Sequence, residues 1–180
     1  GVFALTGCPR GWVPQLAREG RLREARRALG VLADCFGERL AVEVWDHGLP
    51  EERALVRRLL PLAHALGLPW VVTNDVHYAE ATGRIVHDVL ASLRHERVLD
   101  DMGTRLRPNA EWYLKSAAQL ATTWRGHEQG LTQSLAIAER CAFRLEHLRP
   151  TLPAFPLPAG VSADAYLAQL VEHGATERWG

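Results

Sequence analysis

The sequence predicts an α/β protein built on a parallel sheet, and three observations carry that prediction. Short apolar runs at residues 2–6, 40–45 and 69–73 alternate with longer stretches of helical periodicity. The runs are continuously apolar rather than alternating, as expected of strands covered on both faces. Helix-terminating glycines and a helix-opening proline punctuate the alternation, so the order reads strand, helix, strand, helix, strand, helix.

Each element has its own local reason. Residues 2–6 are an apolar run closed by Gly7. Leu22, Ala25, Leu29, Leu32 and Phe36 then recur at 3-4-3-4 spacing on one helical face, and Gly37 stands where a C-terminal cap belongs. "LAVEVW" at 40–45 is the second strand. Pro50 opens the next helix, where its missing N–H costs nothing, with Leu55, Leu59, Leu62 and Leu66 as its stripe and Gly67 as its end. Residues 69–73 form the third strand and 82–93 the helix after it. Past residue 100 the alternation stops. Leu131, Leu135, Ala138 and Ala142 mark a further helix, and Ser162 caps one over 163–177. Between them "LRPTLPAFPLPAG", residues 148–160, carries four prolines and reads as an extended connector.

The composition bounds function. The chain has 180 residues, 47% hydrophobic and 23% charged, with Lys+Arg and Asp+Glu equal at 21 each. Such a balance creates no net field toward nucleic acid or an anionic membrane, and no apolar run approaches a membrane span. Cys8, Cys35 and Cys141 are three and widely spaced, which does not form a disulfide framework and points to a reducing cytoplasm. The opening "GVFALTG" lacks an initiator Met, so a piece of a longer protein is expected.

Parallel α/β folds place their chemistry at the C-terminal ends of strands. Here Cys8 follows the first strand, Asp46 and His47 the second, and Asp75 and His77 the third. Side chains two apart in extended chain point the same way, so Asp75 and His77 can converge on one ion. Carboxylate, imidazole and thiolate together suit zinc or manganese. The plainer readings stand beside this: a polar strand end, a loop in which Asp46 caps the helix opened by Pro50, and Cys8 as a small buried hydrophobe. His64 is placed among Leu and Ala on a helix, His87 and His95 beside a helical stretch, and His127, His147 and His173 toward solvent.

"ALTGCPRGWV", "EVWDHGLPEE", "GLPWVVTNDVHY", "HDVL", "LDD", "WYLKS", "IAERCAFRL" and "LPAFPLPAG" resemble, in order and spacing, successive landmarks of the bacterial C-family DNA polymerases. These are the DNA polymerase III alpha subunits and their error-prone relatives. "ALTGCPRG", "AERCAFRL" and "GATERWG" lean toward the error-prone branch. The resemblance implies that residues 1–105 are the later part of a polymerase-and-histidinol-phosphatase (PHP) domain, an incomplete β/α barrel that binds divalent metals. It implies a helical connection over 106–147, and a Pro-rich connector with the first helix of the polymerase core over 148–180. Cys8, Asp75 and His77 fall on family metal ligands, while Asp46 and His47 match a loop beside the site. The parent would be a DNA-directed DNA polymerase acting on primer-template DNA and deoxynucleotides, with other polymerase subunits as further partners. Its magnesium would be held by carboxylates that this chain does not contain. Two rivals remain open at this point: a stand-alone PHP-type phosphoesterase such as a histidinol phosphatase, and a structural module stabilised by metal.

Overall fold

A computed structural model describes residues 2–148 and 155–180, apart from the side chain of His147. The middle of the proline-rich connector and the orientation of His147 therefore lie outside the described residues. The chain divides into two compact units, Gly1–Ala142 and Phe143–Gly180.

In the first unit three parallel strands, β1 (Ala4–Leu5), β2 (Leu40–Val44) and β3 (Trp70–Val72), lie in that order, with Ala4 beside Leu40 and Val42 beside Trp70. The predicted alternation and parallel pairing are present, and the described strands form an open sheet rather than a closed barrel. Leu40, Ala41 and Val42 of the central strand are fully buried, which is why this run carries no polar alternation.

The helices are α1 (Trp12–Arg18), α2 (Leu22–Phe36), α3 (Pro50–Ala65), α4 (Arg84–Arg94), α5 (Ala117–Thr123) and α6 (Glu128–Arg140). Their buried residues Val13, Leu16, Ala25, Leu29, Leu55 and Leu59 join the strands in one core, which Trp70 and Trp124 complete. Pro50 stands at the start of α3, and Gly37 and Gly67 end their helices at positive φ, as the sequence predicts.

Several expectations are corrected. Sequence periodicity does not anticipate α1 or α5. The stripe assigned to α2 is shifted, with Leu22 exposed and Ala28 buried in its place. In α6 Leu135 is exposed and Ala142 lies past the helix, because α6 meets the sheet through Gly130 against the Trp70 ring instead of through a leucine stripe. His64 lies on α3 as expected, on its exposed side.

The second unit contains α7 (Ala163–Trp179), capped as expected by Ser162, whose Oγ accepts a hydrogen bond from Ala165 N at 3.2 Å.

Candidate functional site

The three strands deliver their polar residues to one end of the sheet. Asp75 and His77 come together there, with Asp75 Oδ1 3.3 Å from His77 Nε2. They do so by a different route from the extended geometry expected of a strand. β3 ends at Val72, and Asp75 takes a positive φ of 38° that folds its carboxylate back toward His77. A non-glycine residue in that region costs about 1–3 kcal/mol and persists only where surrounding contacts impose it.

Those contacts come from the segment following α4. His77 N donates to the Trp112 carbonyl at 2.8 Å, Leu114 N donates to the Tyr78 carbonyl at 3.1 Å, and Trp112 Nε1 donates to Asp75 Oδ2 at 3.2 Å. Asn74 is buried and donates from Nδ2 to the carbonyls of Glu111 and Tyr113, while Lys115 donates to its Oδ1. Arg107 completes the site. Its Nη2 donates to His77 Nε2, its Nη1 lies 3.5 Å from Asp75 Oδ2, and its guanidinium stacks 4.7 Å above the Trp112 ring.

A guanidinium has no acceptor, so His77 Nε2 must present its lone pair to Arg107. The electrostatics agree. Burial, and then the neighbouring Arg107 charge, hold His77 below its ordinary pKa despite the opposing Asp75 carboxylate. Glu43 lies on the strand face nearby, and its carboxyl is pushed up by burial, with the Asp75 charge adding and a Thr73 hydrogen bond opposing.

The residues after β2 serve otherwise. His47 is completely buried: Nδ1 lies 2.8 Å from Glu52 Oε1, Nε2 lies 3.1 Å from the Asn74 carbonyl oxygen, and the ring stacks on Trp112 at 3.9 Å. Glu52 also accepts from His47 N and Trp45 Nε1. Asp46 caps its own turn by accepting from Gly48 N at 2.7 Å and pairs with Arg53, while the N-cap of α3 is Leu49, without a side-chain bond. The expectation that Asp46 caps that helix is thus corrected; its carboxylate is already used by the tight turn. Cys8 is half-buried and lines a cavity of about 220 Å³ together with Asp75, Arg107 and Trp112.

Whether a divalent ion fits is a question of donor spacing. Two ligands of one tetrahedral zinc, each at about 2.0–2.1 Å, stand roughly 3.3–3.4 Å apart. Asp75 Oδ1 and His77 Nε2 match that spacing, and both present lone pairs. Among the described residues no group of three or more His, Cys, Asp and Glu side chains gathers at metal-binding distance. The described residues thus bring together two donors at such a spacing and no third, and Cys8 stands on the wall of the adjoining cavity.

Beside the pair opens a groove of about 740 Å³ that no carboxylate lines among the described residues, walled by Arg10, Arg94, Arg105, Arg107, His77 and His87 among others. The balanced net charge conceals this local accumulation. His87 lies with its ring 5.4 Å from that of His77. Sequence reasoning missed Arg107, Trp112, Asn74 and His87; the polar and aromatic density of "RPNAEWYLKS" is the one signal that marks the first two.

No protein-family model matches the chain. It is 39% identical over 180 residues to the error-prone DNA polymerase of Symbiobacterium thermophilum, covering 100% of this chain and 17% of that protein. It is 34% identical over 181 residues to the DNA polymerase III subunit alpha of Treponema pallidum, covering 99% of this chain and 16% of that protein. The error-prone DNA polymerase of Mycobacterium tuberculosis is 34% identical over 177 residues, covering 98% of this chain and 16% of that protein. The chain thus spans about a sixth of the length of the curated relatives it matches. Across its length, it is a homologue of one segment of the error-prone DNA polymerases and DNA polymerase III alpha subunits.

Proposed function

We propose that this chain works within a DNA-directed DNA polymerase of the bacterial C family, as its metal-binding PHP lobe and the connection toward the polymerase core. The parent extends primer-template DNA with deoxynucleotides in the cytoplasm, by nucleotidyl transfer at a magnesium site outside this chain. The observation that carries the reading is similarity along 98–100% of the chain to proteins bearing those polymerase names.

Within the lobe, Asp75 and His77 hold a zinc or manganese ion, with Cys8 adjoining. A bound ion of this kind supplies Lewis-acid polarisation and holds neighbouring segments together. The chain's own residues prepare the place: Trp112 orients the Asp75 carboxylate, and the backbone bond from His77 N to Trp112 fixes the imidazole. Asp46 and His47 stand beside the site, in the turn and in the buried support.

The test uses the full-length parent. Asp75→Ala and His77→Ala each lower its zinc or manganese content, and the double change adds little, because ligands of one ion act as a unit. Both variants melt earlier, and added metal restores less stability than in wild type. Primer extension at low temperature survives in both. His64→Ala, exposed on α3, leaves metal content unchanged. Equal metal in wild type and both variants would make Asp75 and His77 an ordinary polar strand end.

A further inference from the structure

We infer that the outer face of α4, with the arginine-lined groove along its edge, is a docking surface for another segment of the parent polypeptide. That segment presents apolar side chains flanked by carboxylates. The inference rests on the reading that this chain is one piece of a longer polymerase. It goes beyond that reading by assigning the face and the chemistry of what covers it.

α4 is attached to its lobe by its polar side. Arg84 Nε pairs with Asp88 Oδ2 at 3.3 Å, and Arg84 Nη2 donates to the Arg107 carbonyl at 3.0 Å. The His87 ring meets the rings of His77 and Tyr78 at 5.4 and 5.7 Å, and Ser92 is the one buried residue of the helix. The apolar residues point the other way. Ile85, Val86, Val89, Leu90 and Leu93 follow at 1-3-1-3 spacing on one helical face, and each is between 47% and 72% exposed. An amphipathic helix buries such a stripe, and a contiguous apolar patch on a soluble protein marks a place where something else packs.

Charge defines the edge of the face. Arg94 follows Leu90 by four residues and so borders the stripe. Leu90 and Arg94 also line the groove of about 740 Å³, together with Arg10, Arg105 and Leu106, and no carboxylate lines it among the described residues. Arg10, Arg94 and Arg105 are exposed, and none of the three has a side-chain hydrogen bond or ion pair among the described residues. Unpaired guanidinium groups beside large aliphatic side chains suit a protein segment that carries carboxylates next to apolar residues. They suit a nucleic-acid strand less, since its contacts go mainly to phosphates and to stacked bases, and the Trp112 ring in this groove already stacks against both Arg107 and His47. The apolar character of the stripe is that of a permanent interface, and the chain spans about a sixth of the length of its relatives. The occupant is therefore placed in the same polypeptide, outside residues 1–180.

The experiment uses the full-length parent carrying Leu93→Cys, with thiol labelling at that position read by peptide mass spectrometry. In the folded parent the introduced thiol should react on the order of a hundredfold more slowly than after denaturation, because labelling then needs local opening. Adding Arg94→Glu or Arg105→Glu should raise that rate severalfold, while Arg57→Glu, on α3, leaves it unchanged. Separately, p-benzoylphenylalanine in place of Val89 is irradiated at submicromolar concentration. The expected product is a crosslink within one polypeptide, to a peptide outside residues 1–180 that carries Asp or Glu beside the joined residue. A freely reactive thiol, or a rate indifferent to Arg94→Glu and Arg105→Glu, overturns the inference. So does a crosslink to a second copy, to a separate protein or to DNA, or no crosslink at all. Neither readout depends on metal or on primer extension, so failure here leaves the polymerase reading standing.

Discussion

Gly130→Ala should destabilise the protein, against the usual sign for this substitution inside a helix. Gly130 is buried in α6, and a methyl group built on it would meet the Trp70 ring, 2.6 Å from Cη2, 2.7 Å from Cε3 and closer still to Cζ3. Real methyl carbons do not approach so closely, so either the ring or the helix must shift. The ring has little freedom, since Trp70 is 4% exposed and the His127 ring stands edge-on at 5.9 Å. Overpacking of this kind costs about 1–3 kcal/mol or somewhat more, while replacing helical glycine by alanine gains up to about 1 kcal/mol. The net expectation is a loss of about 1–2 kcal/mol, a fall of roughly 2–8 °C in melting temperature for a domain of this size.

Gly30→Ala is the internal control. Gly30 lies inside α2, and nothing approaches within 4 Å of the methyl it would gain, so only the propensity gain remains. That variant should be more stable by about 0.5–1 kcal/mol. Urea denaturation of both variants, with Trp70→Leu and Trp70→Leu/Gly130→Ala to close a double-mutant cycle, measures the contact itself. With Trp70 already replaced by the smaller leucine, the cost of the added methyl should shrink. A neutral or stabilising Gly130→Ala, or a cycle with no coupling, would refute close packing of α6 on β3.

Glu52→Ala strands three donors, Trp45 Nε1, His47 N and His47 Nδ1, and should cost about 3–5 kcal/mol by denaturant unfolding, with loss of the buried His47 contact visible in Trp112 fluorescence. Asp46→Ala should lose less than about 1 kcal/mol, because its partner Arg53 is largely solvent-facing, and should leave metal content unchanged. All three cysteines should titrate as free thiols under non-oxidising conditions, Cys35 and Cys141 quickly and the half-buried Cys8 more slowly.

The parallel sheet is legible in the sequence because each strand is a continuous apolar run and each helix between them has its own stop residue. What is not legible has particular causes. In α1 Pro14 reads as a helix breaker, yet it falls in the first turn, where the N–H it lacks has no intrahelical acceptor. The start of α5 does carry a local signal, the reciprocal Ser116–Gln119 capping box, but the helix it opens is too short to show an apolar period. At the site, Asp75 and His77 are readable because they are two residues apart. Arg107 and Trp112 are marked only by the polar and aromatic density of their segment, since the contacts that bring them in span 30 and 37 residues and leave no periodicity behind.

Those long-range contacts explain why a buried imidazole and carboxylate persist next to the candidate site. His47 and Glu52 tie the end of β2 to the start of α3, and His47 Nε2 reaches across to the Asn74 carbonyl after β3. Asn109 then donates to the His47 carbonyl at 2.8 Å, and Asn74 binds both Glu111 and Tyr113. A purely apolar cluster would bury the same area, but its contacts are non-directional and would leave the 107–115 segment free to slide along the strand ends. Directional bonds from Asn74 and Asn109 fix its register, and that register is what sets Trp112 against Asp75 and Arg107 against His77. The positive φ of Asp75 follows from the same anchoring, since Asn74 on one side and the His77–Trp112 bond on the other hold the turn closed. The polar support thus positions the Asp75–His77 pair through directional bonds from His47, Asn74 and Asn109.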